Sequence, residues 1–240
     1  MDHSWIMMLI LGMGGFASII TTIRFSIRSF FAGQRQRRRE PARASAPKTQ
    51  GAIIRWPRIY DRIIMALFTG GREQELRQMI ADLARLRPGE TVLDVGCGTG
   101  TLALVACERV GITGRACGID PSRQMIAYAR RKTARRGLSV DFQLGVIEQL
   151  AFPDRSFDVV LCTWMIQHVP NDIKRQGLAE IARVLKPGGR LLFVDSHLDG
   201  LPLKEGEFSR IESGGIPFGK GYGFALERKN LARVAAKEQN

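Results

Sequence analysis

Histidine and cysteine are scarce in this chain, three and four among 240 residues. The cysteines, Cys97, Cys107, Cys117 and Cys162, form no C-x-x-C pair and have no histidine at ligand spacing. That excludes a zinc finger or ribbon and a disulfide framework, so no metal site is expected and the thiols read as reduced and mostly buried. Acidic side chains are also short, 23 against 36 Lys and Arg, which leaves a net charge of +13. Such an excess points to an acidic partner, a membrane surface or a nucleic acid.

Charge of either sign is missing altogether from residues 5–23. Nineteen helical residues at ~1.5 Å each reach ~28 Å, close to the hydrocarbon core of a bilayer. Gly12, Gly14 and Gly15 weaken a soluble helix but are tolerated in a membrane span. A cleaved signal peptide needs a basic start and a small-residue cleavage site, whereas here Met1-Asp2-His3 precedes the run and basic residues follow it. The expectation is a transmembrane anchor over 1–30 and a basic, disordered linker over 31–52, with the rest of the chain from 53 to 240 forming one α/β domain. Arg24, Arg28, Arg35, Arg37, Arg38, Arg39, Arg43 and Lys48 all follow the span. The positive-inside rule then makes this a single-pass membrane protein with its domain cytoplasmic. The same arginines are suited to anionic headgroups.

From residue 91 onward, apolar runs alternate with helical patterns, which predicts a Rossmann-like, mostly parallel sheet with helices on both faces. Strands are expected at 91–95, 115–119, 139–144, 157–162 and 190–195, and helices at 100–109, 122–136 and 171–185. Two amphipathic helices, 53–68 and 73–86, precede them; a last strand at 222–227 and a short helix at 231–237 close the chain. The first strand ends in Asp94-Val95-Gly96-Cys97-Gly98-Thr99-Gly100 and passes straight into helix-forming residues. The alternating glycines allow a sharp turn and the close approach of a ligand to backbone N–H groups at a helix start. Asp120, twenty positions after Gly100 at the end of the second strand, has the spacing of an acid that holds a ribose diol. Thr101 stands where a dinucleotide fingerprint needs its third glycine.

The loop Val92-Leu93-Asp94-Val95-Gly96-Cys97-Gly98-Thr99-Gly100 resembles the first motif of the class I S-adenosylmethionine-dependent methyltransferases. The resemblance continues in Phe152-Pro153-Asp154-Arg155-Ser156-Phe157-Asp158 and Leu185-Lys186-Pro187-Gly188-Gly189, and covers roughly residues 58–196. The branch it is most similar to contains quinone C-methyltransferases and bacterial phospholipid N-methyltransferases. The resemblance implies S-adenosyl-L-methionine as cofactor. It assigns Gly96, Cys97, Gly98 and Gly100 to the cradle, Asp94 to the methionine part, Asp120 to the ribose, and Pro121, Met125, Val146 and Ile147 to the adenine. Val146 stands where the family usually has an acid for the adenine amino group, which leaves the Ile147 backbone or Glu148 as substitutes. Tyr60-Asp61 starts the N-terminal cover over the cofactor.

Thr163 and Trp164 are expected beside the sulfonium, where an aromatic face stabilises positive charge. His168 serves either as a general base or as a pin for its loop. The segment 161–170 lacks the N-P-P-Y or D-P-P-Y of nucleobase amine methyltransferases, which argues against nucleic acid as substrate. The glycine-rich stretch after Asp195 predicts a very compressed closing hairpin. The reading is thus a membrane-anchored methyltransferase for a lipophilic acceptor, a quinone precursor or a phospholipid headgroup. A methyltransferase of soluble metabolites and a non-catalytic binder of the cofactor are the competing readings.

Overall fold

Thr91-Val92-Leu93-Asp94-Val95 is nearly all β-branched or apolar, and it becomes the central strand β1 (Thr91–Val95), covered on both faces as parallel strands must be. The computed structural model describes residues 48–195, 208–216 and 221–228. The expected span at 5–23, the linker up to residue 47 and the helix expected at 231–237 lie outside the described residues. Among the described residues, no helix is long and apolar enough to cross a membrane.

After β1 the chain runs through α3 (Thr101–Val110), β2 (Arg115–Asp120), α4 (Arg123–Arg135), β3 (Val140–Leu144), β4 (Phe157–Thr163), α5 (Asn171–Val184) and β5 (Leu185–Asp195). Two helical elements precede β1: α1, spanning residues 57–69, and α2 (Glu73–Leu83). Strands β6 (Phe208–Ile216) and β7 (Gly221–Arg228) follow β5. The sheet order is β3-β2-β1-β4-β5-β7-β6, with the first five strands parallel and the last two antiparallel.

Side chains alternate along each strand, so one strand feeds two cores. Leu93, Val160, Cys162, Leu191 and Phe193 pack on one face with Ile173, Leu178 and Ile181 of α5. Val92, Val159, Leu161, Leu192 and Val194 pack on the other with Leu76 and Ile80 of α2 and Leu102, Ala106 and Val110 of α3. A third cluster seats Ile126 and Ala129 of α4 against Phe142 and Ala103.

Several boundaries differ from the sequence expectation. The helix expected at 53–68 starts only at Pro57, because a proline disfavours helical backbone in the residue before it, and Trp56 has ψ 70°. It then passes through a π-helical segment, Tyr60–Ile64, and stops at Gly70, which takes the left-handed conformation with φ 61°. Helix α2 ends at Leu83 rather than 86 because Arg85 turns left-handed, φ 52°, and the Leu86 N–H closes back on Ala81 O at 3.3 Å; the Arg190 guanidinium then satisfies the Ala84 and Arg85 carbonyls at 3.1 and 3.0 Å. The closing hairpin is not compressed: β6 and β7 are nine and eight residues long and pair along their length. Its first strand, Phe208–Ile216, was missed because its paired glycines weaken any local strand signal, and pairing to β7 supplies what propensity does not.

Gly177 shows how the helices set the ligand-bearing end of the sheet. A Cβ there would stand 2.5 Å from Ile147 Cγ1, so α5 packs directly on the loop after β3. Gly177→Ala should therefore lower stability by about 1–3 kcal/mol in urea unfolding, by overpacking. A gain of about 1 kcal/mol, as helix propensity alone predicts, would contradict this packing.

Candidate active site

The turn after β1 is built by closure onto β2. Gly96 and Cys97 both donate their N–H to the Ile119 carbonyl at 2.9 Å, and Gly100 donates to Cys97 O at 2.9 Å. Gly96, Gly98 and Gly100 all have positive φ, at 73°, 53° and 78°. A Cβ at Gly100 would meet Phe142 Cζ at 2.6 Å, and one at Gly96 would meet Met165 Cγ at 2.5 Å. Beside Gly98 there is open space, and this is where the backbone is exposed to a ligand.

Asp120 ends β2 at the rim of this turn. One carboxylate oxygen accepts the Gly98 N–H at 3.0 Å and the other accepts the Ser122 N–H at 2.8 Å. Each oxygen keeps a lone pair for a further donor, as a diol requires. Burial pushes this carboxyl up to about 6, against the pull of the two N–H donors. Asp94 lies deeper, 2% exposed, and is pushed up to about 7 by burial, with Arg77 acting against that shift and Asp120 adding to it. The Ala103 N–H favours its ionised form, while Oδ2 has no partner.

A cleft opens at this C-terminal end of the strands, where open α/β sheets bind ligands. Gly96, Gly98, Asp120, Pro121, Met125, Val146, Ile147, Thr163, Trp164 and His168 all line it. Asp94, Cys97 and Gly100 stand behind its wall and shape it. Val146 presents only apolar surface, but Glu148 lines the same wall and its Oε2 is buried without a partner. The wall is held from outside by α5, where Glu180 accepts the Leu150 N–H and Arg183 donates to the Leu150 and Phe152 carbonyls, each at 2.8 Å.

Trp164 holds a strained backbone, φ 48°, with its N–H donated to Val194 O at 2.7 Å. One face of its ring is taken by the Arg77 guanidinium, 5.4 Å from the centroid, and Phe68 of α1 meets it edge-on at 5.4 Å. Its indole Nε1 is buried and unpaired. His168 lies in a 3-10 turn (Ile166–His168) on the cleft wall, and its carbonyl accepts the Ala52 N–H at 3.1 Å. Asp195 at the end of β5 accepts the Gln167 N–H at 3.2 Å and anchors the same loop.

The lid is fastened to the floor. Tyr60 lines the cleft, and its neighbour Asp61 accepts from Lys132 Nζ at 2.8 Å and from the hydroxyls of Thr99 and Tyr128. Lys132 also donates to Thr101 Oγ1 at 2.7 Å, so one carboxylate ties α1 to the glycine turn and to α4. Sequence reasoning missed Arg77, Asp195 and this use of Lys132. Arg77 carried a signal, as a lone base on the buried face of α2; Lys132 was hidden in a run of basic residues. Among the described residues, no three His, Cys, Asp or Glu side chains cluster to hold a metal.

Both raised carboxyls make the folded protein hold protons that the unfolded chain, at about 3.8, has released. Stability from these groups is present below pH 4 and is lost as pH rises through about 6 and 7. Asp94→Asn should therefore gain about 1–3 kcal/mol relative to the unsubstituted protein between pH 5 and pH 8. Urea midpoints at the two pH values check this; a constant difference would contradict it.

Residues 92–189 match the family model of a methyltransferase domain. A demethylmenaquinone methyltransferase of Symbiobacterium thermophilum is 37% identical over 139 residues, 57% of this chain and 54% of that protein. A ubiquinone/menaquinone biosynthesis C-methyltransferase of Hydrogenovibrio crunogenus is 32% identical over 157 residues, 65% of this chain and 61% of that protein. The chain thus spans little more than half the length of these curated relatives. A solved SAM-dependent methyltransferase from Aquifex aeolicus, 20% identical, superposes with a TM-score of 0.54 over 69% of this chain and 97% of that one, which shows the shared fold alone. With the strand order, the open glycine turn and the acid closing β2 joined to these likenesses, residues 92–189 carry a methyltransferase domain, and the chain is similar to the class I S-adenosylmethionine-dependent methyltransferases, quinone C-methyltransferases among them.

Proposed function

We propose that the protein transfers a methyl group from S-adenosylmethionine to a carbon of a lipophilic, quinone-type acceptor. The observation that carries the reading is one cleft that joins the open turn at Gly98, the half-buried Asp120 and a strained aromatic loop at Trp164. The likeness to quinone C-methyltransferases supports the acceptor class.

The residues present fit the cofactor. Asp120 has free lone pairs for two ribose hydroxyls, and Gly98 leaves room for the chain that joins ribose to methionine. Asp94, set behind the wall, would act on the methionine part through water, and the unpaired Trp164 Nε1 would suit its carboxylate, with the Arg77 cation over the same ring. Glu148 would take the role left open by Val146: its buried, unpaired Oε2 could accept from the adenine amino group. When bound, the cofactor supplies an electrophilic methyl group on sulfur. The chain then binds, orients and excludes water, which is where most of the rate of an in-line displacement arises. His168 lines the same cleft and, in this reading, takes the proton that a hydroquinone must lose.

The uncharged run at 5–23 and the arginines after it complete the proposal as an anchor and topology signal, with the domain on the cytoplasmic side. Tethering raises the enzyme's concentration near an acceptor confined to the bilayer.

Calorimetry should detect binding of S-adenosylmethionine and none of NADH. Asp120→Ala should weaken that binding by about 1.5–3 kcal/mol, the scale of a lost charge-assisted hydrogen bond. Glu148→Gln should weaken it less for an analogue that lacks the 6-amino group than for the cofactor itself. The acceptor is read from the membrane: mass spectrometry of quinones from cells with and without the protein should show an unmethylated precursor accumulating in its absence. An unchanged quinone profile, with a methylated soluble metabolite lost instead, would overturn the lipophilic-acceptor reading.

A further inference from the structure

Four large apolar side chains are exposed among the described residues, and three of them, Ile59, Ile63 and Leu67, lie on the lid helix α1. They recur every four residues, so they form one stripe along the helix. The stripe is not left open by a loose helix. On the inner side Tyr60 lines the cleft, Met65 and Thr69 are buried, and Asp61 is clamped by Lys132 and Thr99. The lid is therefore packed beneath and apolar outside, with Leu67 77% exposed.

The stripe is bordered by charge of one sign. Arg55, Arg58 and Arg62 are exposed on the same segment, and Asp61, turned inward, is the only acid between residues 52 and 72. Arg62 and Arg135 of α4 both act on the Tyr128 hydroxyl, which places the basic edge of α4 at the seam with α1. Arg131, Arg135 and Arg136 extend that edge and are exposed. An apolar stripe flanked by arginines is the pattern of a helix that lies in a membrane interface, with its apolar face among acyl chains and its cations on anionic headgroups.

We infer that the outer face of α1, Ile59, Ile63 and Leu67 with Arg55, Arg58, Arg62 and Arg135 around it, docks the domain on an anionic bilayer. This rests on the reading that the acceptor is drawn from a membrane. It goes further by assigning a second contact, separate from any anchor. Docking there sets the roof of the cleft against the lipid, so a lipophilic acceptor passes beside Tyr60 without crossing water.

The test uses the full chain reconstituted with phosphatidylcholine vesicles, with or without phosphatidylglycerol. An environment-sensitive fluorophore is placed by Leu67→Cys or, as a control, by Ile112→Cys, each with Cys107→Ser. Ile112 is fully exposed and follows α3, at the opposite end of the sheet from the cleft. With phosphatidylglycerol, the label at position 67 should shift to the blue and be quenched at least twofold by nitroxide lipids, while the label at 112 stays in water. Three results overturn the inference: a wet label at 67 on bound protein, equal quenching at 67 and 112, or a dry label at 67 before lipid is added. The last of these means that the stripe is covered by the chain itself or, if it grows with protein concentration, by a second copy. The double variant Ile63→Ser, Leu67→Ser should keep cofactor binding and turnover of detergent-dispersed quinone, but lose at least fivefold in turnover of vesicle-borne quinone; equal vesicle turnover overturns the docking role. If the unsubstituted protein methylates no quinone even in detergent, the acceptor reading fails while the fluorescence result still decides the docking.

Discussion

Two carboxylates, the buried Asp94 and the half-buried Asp120, stand near the ends of adjacent parallel strands, and much of the surrounding structure compensates them. Burial raises both, and the charge of Asp120 adds to the shift of Asp94. Backbone N–H groups of Gly98 and Ser122 face one acid, and Ala103 and the Arg77 cation favour the other. The compensation is partial, since Asp94 Oδ2 has no partner. A site that keeps an acceptor oxygen unpaired in its interior holds free energy that a ligand's donors release on binding.

Leu76 and Ile80 seat α2 on the sheet, which brings Arg77 within range of Asp94 and against the lid. Arg77 packs on Trp164, Trp164 on Phe68, and Phe68 belongs to α1. From the other side Asp61 ties α1 to Thr99, in the glycine turn itself, and to Lys132. Floor and roof of the cleft are thus one network of charges and rings. Substitutions in this network are expected to couple rather than add.

The parallel core was legible because its signals are local. A β-branched run, alternating glycines and an acid at the end of the next strand place Gly96, Gly98 and Asp120 together without reference to anything distant. Val146 as an apolar wall and Tyr60 as a cover followed from the family resemblance. What was not legible depends on partners far along the chain. Arg85 turns left-handed to end α2, and the carbonyls this leaves at Ala84 and Arg85 are satisfied by Arg190 from 106 and 105 residues away. Lys132 looked like one base among many on a solvated face, and only Asp61, 71 residues distant, sets it apart. The glycines of β6 gave no strand signal, because its pairing comes from β7 rather than from its own residues.

The central claim is that the ligand completes the two acids Asp94 and Asp120. Calorimetric binding of S-adenosylmethionine at pH 6.5, repeated in buffers of different ionisation enthalpy, counts the protons exchanged. Donors arriving at carboxyls poised at about 6 and about 7 should expel roughly one proton per cofactor bound. Asp94→Asn should remove most of that release. Binding with no proton release in any buffer would contradict the account.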